Sequence, residues 1–223
     1  MSITIDVLSL WSLIQFLDLF GTMAFAVTGA IKAVEHKLDI FGVIFLAAVT
    51  GLAGGISRDI VLGRIPPSGI SELSYVSIAI ITAIAVFFLY PRIKRQMGLF
   101  LIFDAVGLGV FTIIGATIAL NIYGFNVLLM VFSGMITAIG GGIIRDVLVN
   151  ETPLVFRKEL YASISFVGVL LYILLLYEGI DLEFASIICI IFVTIFRIMA
   201  LYYKWDLPIR GTSDKSSSWS ADV

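Results

Sequence analysis

The sequence predicts an all-α integral membrane protein of seven transmembrane helices, arranged as an inverted 3+3 repeat plus one extra helix. Three observations lead to this fold class. The 223 residues are 60% hydrophobic and 13% charged, and the mean hydropathy of +1.11 is far above that of soluble domains. Seven apolar stretches each approach the roughly 20 residues that a bilayer-spanning helix needs. A pattern of residues in the first half also recurs in the second half.

The seven predicted spans follow one another with short polar connections. The first contains Asp18 and has no basic stretch before it, so it is interpreted as a retained span and not as a signal peptide. The seventh contains Cys189, the single cysteine, so no intrachain disulfide can form. The Ser-rich segment 206–223 is predicted to be a disordered cytoplasmic tail. The predicted spans are residues 10–31, 40–58, 73–90, 98–120, 126–145, 160–177 and 184–203.

The distribution of basic residues predicts the orientation in the membrane. Arg58, Arg145 and Arg197 lie in the spans and are left out. When the connections are assigned alternately to two sides, Arg64 is the only basic residue on one side. The other carries Lys32, Lys37, Arg92, Lys94, Arg95, Arg157, Lys158, Lys204, Arg210 and Lys215. Because cytoplasmic loops are enriched in lysine and arginine, this predicts a multi-pass protein of the inner or plasma membrane with its N-terminus outside and its C-terminus cytoplasmic.

Two glycine-rich phrases, each ending in an arginine–aspartate pair, mark the internal repeat. Gly-Gly-Ile-Ser-Arg-Asp at 54–59 recurs as Gly-Gly-Ile-Ile-Arg-Asp at 141–146. In addition, Asp18, Gly21, Phe25, Gly29 and Ala30 match Asp104, Gly107, Phe111, Gly115 and Ala116. The repeats are predicted to cover 10–90 and 98–177, with 184–203 standing alone. Since each repeat has three spans, the second enters the membrane from the opposite side.

Charged residues within the spans are the candidates for a polar pathway through the bundle: Asp18, Arg58, Asp59, Asp104, Arg145 and Asp146. Position along the helices allows an Asp18–Arg58 pair in the outer half and an Asp104–Arg145 pair in the inner half. Asp59 and Asp146 compete as partners of the arginines. An unpaired charge at this depth is costly, so some partner is expected. The alternative is that the arginines sit at helix ends and extend to the lipid headgroups.

The glycines within the motifs have two interpretations. Spacing of small residues four apart is typical of close helix packing in lipid. A kink or unwound turn in spans two and five would instead free carbonyl groups to face a wet cavity. Both roles are expected for the helix-break candidates Gly51, Gly54, Gly55, Gly140, Gly141 and Gly142.

Enzyme chemistry finds no support in the sequence. His36 is the only histidine and falls in a charged loop. No zinc-protease motif, nucleophile elbow, metal-ligand cluster or Walker loop is present. The sequence therefore predicts neither an enzyme nor a cofactor, metal or nucleic-acid partner.

The paired glycine–arginine–aspartate phrases, the Asp-x-x-Gly-x-x-x-Phe-x-x-x-Gly-Ala openings and the 3+3+1 plan resemble the prokaryotic branch of the TRIC family, the trimeric intracellular cation channels. Bacterial members of this family are also labelled putative glycine transporters. The likeness covers about residues 10–205. It implies a homotrimer in lipid, with a pore in each protomer that conducts monovalent cations, potassium or sodium and chiefly potassium. It also implies that spans one, two, four and five line the pore, along which the six charged residues above would lie. The Lys-Glu-Val phrase of animal members is absent here, so voltage sensing and phosphoinositide control are not carried over.

Two alternatives remain open from the sequence. Inverted repeats with broken helices serve alternating access equally well, which would make the chain a secondary transporter of a small solute such as glycine. The repeat could also be a duplicated helix bundle with no transport role.

Overall fold

A computed structural model describes residues 7–93, 98–157, 160–203 and 205, and every regular element among them is a helix. The helices are α1 (Val7–Glu35), α2 (Ile40–Val61), α3 (Ser68–Ser71), α4 (Leu73–Ile93), α5 (Gly98–Tyr123), α6 (Val127–Leu148), α7 (Leu154–Arg157), α8 (Ala162–Tyr177) and α9 (Leu182–Tyr203). The predicted all-α class is confirmed. The predicted tail 206–223 and the basic residues Lys94, Arg95, Lys158, Lys204, Arg210 and Lys215 lie outside the described residues.

Six of the described helices are long and apolar enough to cross a membrane. These are α1, α2, α4, α5, α6 and α9. The predicted sixth span, 160–177, appears as α8, which has 16 residues. At a rise of about 1.5 Å per residue, α8 is about 24 Å long, somewhat less than the roughly 30 Å of a bilayer core.

The helices α2 and α6 begin and end in the same way. The side chain of Asp39 accepts a hydrogen bond from the Gly42 amide (2.8 Å), and that of Asn126 accepts one from the Leu129 amide (3.1 Å). Past their last turns, Gly63 and Asn150 have positive φ angles of 70° and 59°. This left-handed conformation after the C-cap ends a helix and satisfies its last carbonyl groups.

The packing is built around α1 and α5, whose membrane windows are each 67% buried. They contact each other, α1 packs on α2 and α4, and α5 packs on α6, α8 and α9. The outer helices expose large apolar side chains, as lipid-facing surfaces do: Phe41, Phe45, Ile81, Phe88, Phe132 and Phe184.

The two halves show the same order and the same contacts. The series α1 to α4 corresponds to α5 to α8, and the contacts α1–α2, α1–α4 and α2–α4 recur as α5–α6, α5–α8 and α6–α8. The helix α9 has no counterpart. This correspondence agrees with the repeats expected at 10–90 and 98–177, whose bounds and inverted relation stay predictions.

The glycine motifs lie inside continuous helices, since α2 and α6 run without interruption through them. The structure therefore shows no unwound turn at Gly51, Gly54, Gly55, Gly140, Gly141 or Gly142, and a kink at these positions stays a prediction. The other expected role, close helix packing, is seen at Gly51, Gly54 and Gly141. A Cβ atom on Gly54 would collide with the carbonyl oxygen of Thr137, and one on Gly141 with that of Thr50. The missing side chains thus let the backbones of α2 and α6 touch.

Candidate functional site

A buried charged cluster lies at the end of α2. Arg58 donates from Nε to Oδ1 of Asp59 at 2.8 Å. Oδ2 of Asp59 accepts hydrogen bonds from the amide of Ser68 (2.8 Å) and from its hydroxyl (2.7 Å). The short helix α3 therefore anchors the aspartate, and the aspartate orients the arginine.

Asp18 of α1 completes this first cluster. Nη1 of Arg58 lies 4.0 Å from Oδ2 of Asp18, and the hydroxyl of Tyr75 donates to that same oxygen at 3.0 Å. A small cavity adjoins Asp18, Arg58 and Tyr75, and Thr22 and Phe111 also form part of its wall. The centre of a water molecule could occupy about 10 Å³ of it. It has room for about one water molecule.

The second cluster lies at the end of α6 and uses the equivalent residues. Arg145 donates from Nε to Oδ1 of Asp146 at 2.8 Å, and Oδ2 of Asp146 accepts from the amide of Leu154 at 3.0 Å. Nη1 of Arg145 reaches Oδ1 of Asp104 at 3.0 Å and Oγ1 of Thr28 at 2.8 Å. Because Thr28 belongs to α1, this cluster joins the two halves.

Burial removes the alternative in which the arginines extend to the lipid headgroups. Arg58 is 1% exposed and Arg145 is fully buried, each between two carboxylates. Charges enclosed in this way are stable only when paired and hydrogen-bonded. Each guanidinium still has one nitrogen, Nη1 of Arg58 and Nη2 of Arg145, without a hydrogen-bond partner among the described residues.

Both aspartates suggested for each arginine are in place. The pairings Asp18–Arg58 and Asp104–Arg145 expected from helix depth occur together with the neighbouring pairs to Asp59 and Asp146. All six candidates thus fall into two clusters of three, and no cluster is held by residues of a single helix.

The second glycine of each motif faces its arginine. A Cβ atom on Gly55 would lie 3.6 Å from Nη2 of Arg58, and one on Gly142 would lie 3.6 Å from Nη2 of Arg145. These are ordinary van der Waals distances, so a methyl group would fit beside the guanidinium group at Gly55 and at Gly142. Gly54 and Gly141 instead serve the contact between α2 and α6.

Two tyrosines were missed by sequence reasoning. Tyr75 hydrogen-bonds Asp18, and the hydroxyl of Tyr161 lies 3.5 Å from the Cβ position of Gly142 in the second cluster. They lie 86 residues apart, whereas the glycine motifs that precede them lie 87 apart, so the repeat does not align the two tyrosines and gave no signal for them.

Arg197 of α9 also lies in the protein interior. Its guanidinium carbon stands 4.5 Å from the ring centre of Tyr161, and the residue is 2% exposed. The guanidinium group of Arg197 therefore does not extend outward from the helix bundle. Nε and Nη2 of Arg197 have no hydrogen-bond partner within the part of the chain that the structure describes.

A more exposed ion pair ties α1 to the connection after α6. Nζ of Lys32 lies 2.7 Å from Oε2 of Glu151, and Nε2 of His36 lies 3.2 Å from Oε1 of that residue. The ring of Phe100 stands between this pair and the second cluster, with Lys32 Nζ 5.6 Å and Arg145 Cζ 4.9 Å from its centre. Among the described residues no group of three or more histidine, cysteine, aspartate or glutamate side chains is arranged to hold a metal ion.

Comparison with known proteins identifies the family. A family model described as a glycine transporter matches the chain twice, over residues 15–91 and 101–177. The TRIC orthologue from Rhodobacter sphaeroides has the same fold, with a TM-score of 0.83 and 34% identity over 87% of this chain and 100% of that one. This chain belongs to the prokaryotic TRIC family. The two matched segments coincide with α1 to α4 and α5 to α8 of this TRIC protein.

Other relatives agree with this assignment. A structure described as showing conductance through TRIC cation channels has a TM-score of 0.80 and 36% identity, covering 88% of this chain and 97% of that one. A UPF0126 membrane protein of Vibrio cholerae is 38% identical over 198 residues, 88% of this TRIC chain and 82% of the relative. The UPF0126 inner membrane protein YadS of Escherichia coli is 34% identical, covering 88% and 95%. The six long apolar helices and these relatives make the chain a multi-pass membrane protein.

Proposed function

We propose that this protein is a channel for monovalent cations, chiefly potassium, with a passive pore in each protomer of a homotrimer. The observation that carries the proposal is its similarity, at 34–36% identity and TM-scores of 0.80–0.83, to structures described as TRIC channels. The relative from Rhodobacter sphaeroides is described as a trimeric intracellular cation channel orthologue, which supports the trimer.

The geometry of the two clusters supports conduction between α1, α2, α5 and α6. Asp18 and Thr22 are four residues apart on α1, as are Thr28 and Lys32, and the four side chains lie within about one third of the helix circumference. Asp18 belongs to the first cluster and Thr28 contacts the second. This face therefore connects the clusters, which is the arrangement that a polar pathway inside one protomer requires.

Ion preference in this proposal comes from neutral oxygen atoms more than from net charge. The positive charge of each arginine is offset by two aspartates at the cluster. The pathway is then weakly acidic, which attracts cations without trapping them. Hydroxyl and carbonyl groups along α1 and α5 would complete the coordination of the permeating cation.

The proposal includes the membrane arrangement expected from the sequence. The N-terminus lies outside, the C-terminus is cytoplasmic, and the repeats 10–90 and 98–177 cross the membrane in opposite directions. The support is the excess of basic residues on one set of connections.

Flux in liposomes tests this function. Purified protein under a potassium gradient should pass potassium passively, without added solute. Asp18→Asn should lower the flux because it removes a carboxylate from the wall of the first cavity. Asp39→Asn is the matched control, since it makes the same change at the exposed N-cap of α2. Equal flux in the two variants would argue against a pathway through the first cluster.

A secondary transporter of a small solute such as glycine is the second candidate. The family model is described as a glycine transporter, and arginine and aspartate could bind the carboxylate and ammonium groups of a zwitterion. Counterflow of labelled glycine in liposomes that show no potassium conductance would establish this function in place of the channel.

A further inference from the structure

We infer that Phe25 and Phe111 form an aromatic gate that separates the two charged clusters along the proposed pathway. This inference rests on the proposed function, because a gate requires a pathway to close. It assigns a role to the phenylalanine of the repeated Asp-x-x-Gly-x-x-x-Phe motif, which belongs to neither charged cluster.

The position of Phe25 on α1 is the first argument. Asp18, Thr22, Thr28 and Lys32 all line the same helix face, and Phe25 lies midway among them. On one side of Phe25, Thr22 borders the first cavity. On the other side, Thr28 contacts Arg145. Phe25 is therefore the apolar interruption of an otherwise polar stripe.

The contact between the two rings is the second argument. The ring centres of Phe25 and Phe111 lie 5.1 Å apart with an interplanar angle of 79°, an edge-to-face contact. Phe111 comes from the corresponding position of α5 and forms part of the wall of the first cavity. Both residues are at most 1% exposed. Phe111 thus borders the cavity beside Asp18, and Phe25 packs against Phe111.

Each ring occupies a space that a glycine of the opposite helix leaves open. A Cβ atom on Gly21 would lie 2.7 Å from Cε1 of Phe111, and one on Gly107 would collide with the ring of Phe25. Gly141 of α6 approaches Phe25 from behind, its Cβ position 3.1 Å from Cδ2. The ring of each repeat thus packs against a glycine of the other repeat, and these contacts hold both rings in place.

This arrangement closes the path to ions in the structure. A hydrated cation cannot exchange its water for two phenyl edges, and an apolar constriction of this kind excludes water. Charged groups on both sides would let a cation approach the rings from either cluster. Conduction then requires the rings to move apart.

Truncation of the rings tests the gate. Phe25→Ala and Phe111→Ala should each raise passive potassium flux per reconstituted protein about tenfold, the factor that corresponds to about 1.4 kcal/mol in the barrier. Ile113→Ala is the matched control. Ile113 is also buried in α5, but it packs in the cluster with Val169 and Tyr172, away from the polar stripe. It should leave the flux near that of the wild type.

Two further outcomes keep the gate distinct from the proposed channel. If the alanine variants fail to fold, Phe25→Leu and Phe111→Leu retain an apolar side chain without the ring and should give a smaller increase. If the wild type conducts potassium and the ring variants fold but show the same flux, the gate is overturned while the proposed channel stands. A wild type and variants that all exchange glycine but pass no potassium would overturn the proposed function.

Discussion

Nη1 of Arg145 lies 3.0 Å from Oδ1 of Asp104, while in the other half Arg58 stands 4.0 Å from Asp18. The two clusters are therefore similar but not equal. In the second, the arginine contacts the α5 aspartate directly. In the first, Tyr75 donates the short hydrogen bond to the α1 aspartate instead.

Asp104→Asn should destabilise the protein more than Asp18→Asn. The first change weakens a direct ion pair in which both partners are almost fully buried, and breaking such a pair costs on the order of 3 kcal/mol. The second leaves the hydrogen bond from Tyr75 possible and weakens only a longer contact. Thermal unfolding of both variants in one detergent measures the difference. Equal losses of stability would show that the Arg145–Asp104 pair is no stronger than the Arg58–Asp18 pair, despite its shorter distance.

Gly54→Ala should disrupt the contact between α2 and α6, whereas Gly55→Ala should not. A methyl group at Gly54 meets the carbonyl oxygen of Thr137, which belongs to the backbone and cannot move aside. At Gly55 the nearest atom is Nη2 of Arg58 at 3.6 Å, and alanine favours the helix by about 1 kcal/mol over glycine. Thermal unfolding and retention of the oligomer distinguish the two.

The pair Gly141 and Gly142 provides the same comparison in the second repeat. Gly141→Ala should be disruptive because its Cβ would meet the carbonyl oxygen of Thr50, and Gly142→Ala should be tolerated. If alanine is tolerated at both Gly54 and Gly141, these glycines do not serve the close packing of α2 and α6.

Arg197→Met should leave stability unchanged or raise it, in contrast to Arg145→Met. Arg197 is buried with two guanidinium nitrogens that have no partner among the described residues, and replacing such a charge by an apolar side chain of similar length removes a desolvation penalty. Arg145→Met would strand Asp104 and Asp146 and should cost about 3–5 kcal/mol. Thermal unfolding measures both. A large loss for Arg197→Met would mean that the contact of Arg197 with the Tyr161 ring outweighs this penalty.

Glu151→Gln should have a small effect that depends on salt. The Lys32–Glu151 pair is partly exposed, with side chains 15% and 29% accessible, so it contributes up to about 1 kcal/mol. The difference in unfolding temperature from the wild type should shrink as potassium chloride is raised, because salt screens exposed pairs. A difference that is the same at low and high salt would indicate a packing effect.

The sequence determined the membrane class, the approximate positions of the spans and the identity of the charged residues. Apolar stretches of bilayer length and the positions of Asp18, Arg58, Asp104 and Arg145 are local properties of the chain. Depth along each helix was enough to suggest which aspartate meets which arginine, since a helix rises by a constant amount per residue.

The tertiary structure decided what lies opposite each of these residues. It showed Gly54 and Gly141 in backbone contacts inside continuous helices, Tyr75 on Asp18, Thr28 on Arg145, and Arg197 against Tyr161. Helical periodicity specifies the face on which a residue lies, but not the neighbour that covers that face. That neighbour depends on how distant helices pack, and this is why the role of the glycines and the meeting of the two phenylalanine rings were decided only by the fold.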